Sequence, residues 1–162
     1  MQFTLTYSGE LRSNDRPNHK HDLRKAFHSQ LRVLWQQSPL LELQHWYNPS
    51  GEKTPVNLNR RVGPFRFVPL VTADLYMVCE PSIFMLKPEP PGAIVTQGGD
   101  TDNRLKTLFD ALRFPKDMSE LPPGAVVEKD QDPFFCLLED DALITAVSVK
   151  TDRLLTVPQN AS

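Results

Sequence analysis

Two short segments carry the side chains of this chain that could do chemistry. Residues 98–113 read GGDTDNRLKTLFDALR, and residues 138–144 read LEDDALI. The first puts Asp100 and Asp102 at the entry to an amphipathic helix, with Lys106 one turn further in. The second sets Asp140 and Asp141 between two apolar runs about 40 residues later. Carboxylates gathered from two separate elements, together with one lysine, are what a magnesium-dependent phosphodiester-cleaving site requires. Mg²⁺ takes oxygen ligands and keeps several waters, so a few carboxylates suffice.

The helix must position the first group. Leu105, Leu108, Phe109 and Leu112 follow i, i+3, i+4, i+7 spacing and predict one stripe facing a core. At about 100° per residue, Asp102, Asn103, Lys106 and Asp110 fall beside that stripe, and Asp102 and Lys106 are i, i+4 neighbours able to touch. Gly98 and Gly99 allow a sharp entry to the helix. Asp and Thr are ordinary helix caps, and the helix dipole favours carboxylates there, so the helix alone does not make a site. A helix needs one cap, however, and Asp100, Thr101 and Asp102 offer three.

The second acidic pair completes the pattern. The run PFFCLL (133–138) predicts a buried strand; Glu139, Asp140 and Asp141 interrupt it, and TAVSVKT (145–151) resumes with alternation. By themselves these acids read as an exposed turn. Beside other carboxylates they are costly unless a cation neutralises the group.

Asp-x-Asp-Asn at 100–103, a lysine at 106, Phe109-Asp110-Ala111-Leu112 and a later Asp140-Asp141 before a β-rich tail together resemble the RusA-like Holliday-junction resolvases. The clear resemblance covers residues 98–152, with a weaker match from the N-terminus. It implies a small α+β endonuclease acting as a homodimer on branched DNA. Its essential carboxylates map onto Asp100, Asp102 and Asp141, with Asp140 adjacent, and its functional lysine onto Lys106. Asp100, Asp102 and Asp141 are then the expected ligands of Mg²⁺, with Mn²⁺ as a substitute. Two departures bear on substrate preference: a long, Pro-rich and acidic stretch between Asp110 and Asp140, and a glycine before Asp100 where a basic residue is typical.

A DNA-binding role needs cations, and the net charge of −2 counts against it. The distribution is polarised, however. Arg12, Arg16, Lys20, Arg24, Lys25 and Arg32 cluster near the N-terminus, with Arg60, Arg61 and Arg66 as a second group. Arg12, Arg16, Lys20, Arg24, Lys25 and Arg104 are the expected phosphate contacts. The alternative for each is a solvated helix face. His19-x-His21 could suggest a metal pair but lacks a local third ligand. The rival classes of function are a non-catalytic nucleic-acid-binding protein of the same fold, and a small structural or regulatory protein whose acidic clusters are only caps and turns.

The expected architecture is α+β: a single two-layer domain over residues 1–162, with a small mixed β-sheet packed by two main helices. Its length leaves room for a real core, and 40% hydrophobic and 23% charged residues are ordinary. No apolar run reaches the roughly 20 residues that span a bilayer. No secretory signal is evident, and Cys79 and Cys136 sit in apolar surroundings, so a cytoplasmic protein with reduced thiols and no membrane association is expected. The N-terminus reads as a first strand with Phe3 and Leu5 on one side. A helix is expected from Asp22 as N-cap, carrying Leu23, Phe27, Leu31 and Leu34, and a short second helix around Leu40 to Trp46. Residues 48–64 read as loop and 65–79 as core sheet, with Pro69 marking a bulge or an edge. Residues 81–99 and 114–133 read as two long Pro-rich loops flanking the site, either touching a substrate or partner or packing on the surface.

Overall fold

A computed structural model of the chain describes residues 1–13, 16–51, 54–88 and 100–156. The fold is α+β, as expected. Helix α1 runs Pro17–Trp35 and helix α2 Asp100–Leu112; strands β1 to β5 are Arg60–Val62, Phe65–Val71, Ser82–Lys87, Phe134–Leu138 and Ser148–Arg153. Short 3₁₀ turns lie at Leu40–Trp46, Ala73–Leu75, Met118–Glu120 and Asp141–Leu143.

The mixed sheet has the order β1-β2-β4. β1 pairs with β2 antiparallel, and β2 pairs with β4 parallel, with Phe67 opposite Phe134 and Val71 opposite Leu138. β1 reaches only Phe65 to Phe67, so β2 has β4 alone beside it by Pro69. Proline has no N–H to give a second neighbour, so it fits there. Beyond this sheet the same two stretches of chain stay side by side. An isolated bridge joins Cys79 to Ile144, and β3 then pairs with β5 in parallel from Ser82–Ser148 to Lys87–Arg153.

Two apolar clusters hold the sheet. The larger gathers Leu23, Phe27, Leu31 and Trp35 of α1 with Val68, Leu70, Phe135, Leu137 and Leu138 of the sheet and Ala111 and Leu112 of α2. The smaller contains Val62, Phe65, Phe67, Phe134 and Cys136, closed over by Leu121 with Phe114, Ala125 and Val127. The 114–133 excursion therefore packs on the core. α1 also guards β4: the Phe135 N–H donates to His28 Nδ1 at 2.9 Å, so Nε2 carries the ring proton and donates to the Asp130 carbonyl at 2.7 Å. A backbone donor that would otherwise stand unpaired is thus satisfied.

Several boundaries differ from the sequence expectation. α1 starts at Pro17, not Asp22, with Arg16 at the N-cap; proline at the first helical position gives up an N–H that has no partner there and presets φ. The segment read as loop contains β1, and the 81–99 loop begins with β3. Residues 73–76 turn, and of residues 77–79 only Cys79 pairs, through its isolated bridge. The N-terminal residues form no strand; Phe3 and Leu5 pack on the core while Gln30 brackets Thr6, accepting from its N–H and donating to its carbonyl.

His21 and His28 are buried, and His21 lies against the Phe65 and Phe134 rings. Burial, with Lys25 and Arg24 adding, pushes His21 down to about 4 from 6.5, and burial lowers His28 as well. Both are neutral when folded and protonate near 6.5 when unfolded. Their stability contribution is therefore intact above about pH 6.5 and is lost as pH falls toward about 4. The melting temperature should drop across that window in a pH series, and His21→Leu should flatten the drop; an equal slope in the variant would exclude His21 as the cause.

Candidate functional site

Helix α2 is clamped at its C-terminal end, and that end gathers most of the local charge. Arg24, 1% exposed on α1, donates to the backbone carbonyls of Asp110 (3.1 Å), Arg113 (3.3 Å) and Glu120 (3.3 Å). The last carbonyls of a helix lack internal partners and carry the negative end of its dipole, so a guanidinium satisfies both needs. Burial lowers Arg24 to about 10, which leaves it charged at neutral pH. Arg113 reaches both oxygens of Glu120 at 2.9 and 3.1 Å and Asp110 at 3.2 Å; Lys20 meets Asp110 at 2.8 Å. Burial opposes the charge on Arg113 and on Glu120, but their mutual bond outweighs it, raising the arginine and lowering the carboxyl.

The N-terminal end of α2 holds the candidate acids. Asp100 is its first residue, and its side chain lies outside the described set. Thr101 is buried and accepts a hydrogen bond from Lys87 Nζ at 3.1 Å, which ties the first turn to the end of β3. Asp102 and Lys106 are exposed on the solvent side and, among the described residues, make no ion pair, with each other or otherwise. The buried positions of α2 are Thr101, Thr107, Ala111 and Leu112, with Leu108 and Phe109 both partly buried against the core.

The second acidic group divides three ways. Glu139 pairs with Arg60 at 2.9 Å, and Arg60 also holds Asp74 at 2.8 Å. Asp140 caps the following 3₁₀ turn by accepting from the Ala142 N–H at 2.8 Å. Asp141 makes no side-chain hydrogen bond or ion pair among the described residues. Partial burial raises its pKa; Arg113 opposes this, Asp110 and Asp140 add to it, and Lys116 opposes. Among the described residues, the charges that act on it are therefore Arg113, Asp110, Asp140 and Lys116. Asp102 and Asp110 are eight residues apart, about 12 Å along a helix rising 1.5 Å per residue.

The donor chemistry suits magnesium, since all the candidates are carboxylates. Of the three expected ligands, Asp100 has its side chain outside the described residues; among the described residues no three His, Cys, Asp or Glu side chains lie close enough to share an ion.

The expected basic surface is corrected in part. Arg24 is buried and spent on carbonyls, so it cannot reach a phosphate. Lys20 is engaged by Asp110, Lys25 by Glu128 at 3.0 Å, and Arg12 by Glu10 at 3.1 Å. In the second group, Arg66 holds Asp132 at 2.8 Å and Arg60 holds Glu139 and Asp74, while Arg61 is exposed. Arg16 is exposed before α1, and Arg104 is half-buried on α2. His19 Nε2 accepts from the Arg12 N–H and His21 is buried among rings, so the two are not a metal pair. Sequence reasoning missed Lys87. The run SIFMLK alternates toward it, but the surrounding prolines masked a strand.

Comparisons with family models, with curated proteins and with solved structures found no significant match.

Two variants test the clamps. Arg24→Ala leaves three carbonyls without their donor and should cost about 3 kcal/mol in denaturant unfolding; a loss below about 0.5 kcal/mol, typical of a surface site, would deny the clamp. Lys87→Met should speed amide exchange at Arg104 to Thr107, the first α2 amides to bond back along the helix, and Lys87→Arg should restore protection; unchanged exchange in Lys87→Met would show that the tether does not hold the helix.

Proposed function

We propose that the chain is a Mg²⁺-dependent, structure-selective endodeoxyribonuclease that hydrolyses phosphodiester bonds in branched DNA such as Holliday junctions, acting as a homodimer in recombination or repair. The observation that carries the reading is selective availability. Most charged side chains beside the sheet and along α1 are spent on internal partners. Asp102, Lys106 and Asp141, three of the side chains assigned to cleavage from their order and spacing, are exposed and make no internal ion pair among the described residues. Exposed charge is common on any surface; here it falls on the residues of one pattern.

In this reading Asp100, Asp102 and Asp141 are the ligands, and a bound Mg²⁺ would polarise the phosphate and supply a hydroxide-like nucleophile. Asp140, at the head of the 3₁₀ turn, would be a further ligand or would orient a ligated water. Lys106, one turn into α2, sets positive charge beside the phosphate as negative charge builds up. Arg12, Arg16, Lys20, Lys25 and Arg104 would meet the backbone phosphates, and competition from the carboxylate partners of Arg12, Lys20 and Lys25 makes that binding sensitive to salt. The two-fold symmetry of a four-way junction calls for two copies of the site.

A second reading has its own support: the dispersed carboxylates and the carboxylate partners of Lys20, Lys25 and Arg12 fit a non-catalytic protein of the same fold. Cleavage assays on a panel of branched and linear DNAs, with Mg²⁺, Mn²⁺ or chelator, separate the two. The nuclease reading expects metal-dependent nicking of branched substrates, and Asp102→Asn should lower it by at least about 100-fold with DNA binding retained. Wild-type protein that binds but never cuts would leave the non-catalytic reading; Asp102→Asn cutting at the wild-type rate would remove the site assignment.

A further inference from the structure

The β3–β5 pair is built unlike the rest of the molecule. Parallel strands are ordinarily buried on both faces, and two strands alone are marginal in water. Here six residues pair with six in parallel, and alternate positions of both strands face solvent. The register puts those exposed positions on one face, in rows: Ser82 beside Ser148, Phe84 beside Lys150, and Leu86 beside Asp152. Phe84 is 59% and Leu86 50% exposed. Side by side on β3, they form an apolar strip with a charged strip next to it on β5.

Neither charge is neutralised among the described residues, though Lys150 makes a cation–π contact. Lys150 stands over the Phe84 ring with its ammonium 5.7 Å from the centroid, and Asp152 accepts only from the Arg153 N–H. Among the described residues neither makes an ion pair. They are two apart on one strand, so they point the same way. A shallow depression of about 390 Å³, lined by Ser82, Ile83, Phe84, Ser148 and Lys150, opens at the first two rows.

This face is complementary to itself. Let a second copy lie face to face about a two-fold axis that crosses the strands between the second and third rows. The rotation keeps β3 over β3 and β5 over β5 and reverses the order of rows. Phe84 then meets the other copy's Leu86, and Lys150 meets the other copy's Asp152, each contact occurring twice. Apolar falls on apolar and plus falls on minus, as an isologous interface requires. An axis through the second row would instead set Lys150 on Lys150 and Phe84 on Phe84.

We propose that the exposed face of the β3–β5 ribbon is the surface through which two copies of this chain associate, with Phe84 and Leu86 as its apolar centre and reciprocal Lys150–Asp152 pairs fixing its register. The proposal holds whatever chemistry α2 carries, because it rests on the ribbon alone. The face is small beside the roughly 800 Å² per partner of a stable complex, so the dimer dissociates on dilution.

Light scattering and sedimentation of the full chain across a concentration series up to millimolar test it. The wild type should shift from monomer to dimer, and added salt should weaken the shift. Phe84→Lys should abolish it, and Lys150→Glu and Asp152→Lys should each weaken it at least about tenfold, the scale of a close charge pair reversed. The double variant, with both charges exchanged, should regain dimerisation, which a variant that merely misfolds cannot do. A wild type monomeric throughout, a dimer indifferent to Phe84→Lys, or a charge exchange that restores nothing would each overturn the proposal. The readout is mass, so absence of DNA cleavage does not bear on it.

Discussion

One buried guanidinium organises this molecule. Arg24 leaves α1 and ends on three carbonyls, two of them at the close of α2 and one in the 114–133 excursion. Burying a charge without partners is prohibitive, and a salt bridge in its place would itself need desolvating. Carbonyls at a helix C-terminus are a better partner, because they must be satisfied in any case. The cation therefore joins three segments distant in sequence while removing orphan acceptors from two of them. Arg113, Glu120, Asp110 and Lys20 surround that contact, and Asp141 lies within their electrostatic reach.

That arrangement explains how the sequence misleads. A run of cations between Arg12 and Arg32 reads as a phosphate-binding strip because spacing says nothing of depth. Arg24 shares α1's inward face with Leu23, Phe27 and Leu31, at positions a helical wheel could have marked. The expectation of an exposed basic face overrode that pattern. β4 was legible, since a run of five apolar residues bounded by Pro133 and Glu139 leaves little choice but a buried strand. β3 was not, because Pro81, Pro88 and Pro90 outweighed the alternation of SIFMLK between them. The start of α1 was misplaced by preferring a capping aspartate to a proline at N1; here the proline won.

The candidate acids were legible as residues and not as a constellation. Glu139, Asp140 and Asp141 look alike on paper, yet one neutralises Arg60, one caps a turn and one remains without an internal partner among the described residues. Only the tertiary environment separates these fates. The same holds for the helix: Thr101 reads as one cap among three and is instead a buried acceptor for Lys87. Lysine at the positive end of a helix is unfavourable by itself, so the Asp102 carboxylate in the same turn has an electrostatic role there before any ligand is considered.

Both ends of α2 are thus held, one by Arg24 and one by Lys87, and a held helix is a ruler. Asp102 lies about 12 Å along the axis from Asp110, and Asp141 answers to the charges around Asp110 and Arg113. Chelation works over about 2 Å, so Asp102 and Asp110 cannot share an ion. Either the Asp141–Leu143 turn carries its carboxyl toward the first turn of α2, or the acids at the two ends serve separate purposes. The turn is anchored by the bridge from Ile144 to Cys79 and by the Asp140 cap, so moving it means breaking named hydrogen bonds. The nuclease chemistry proposed for this chain would therefore depend less on which acids are present than on whether a cation and a phosphate together offset the cost of that local rearrangement.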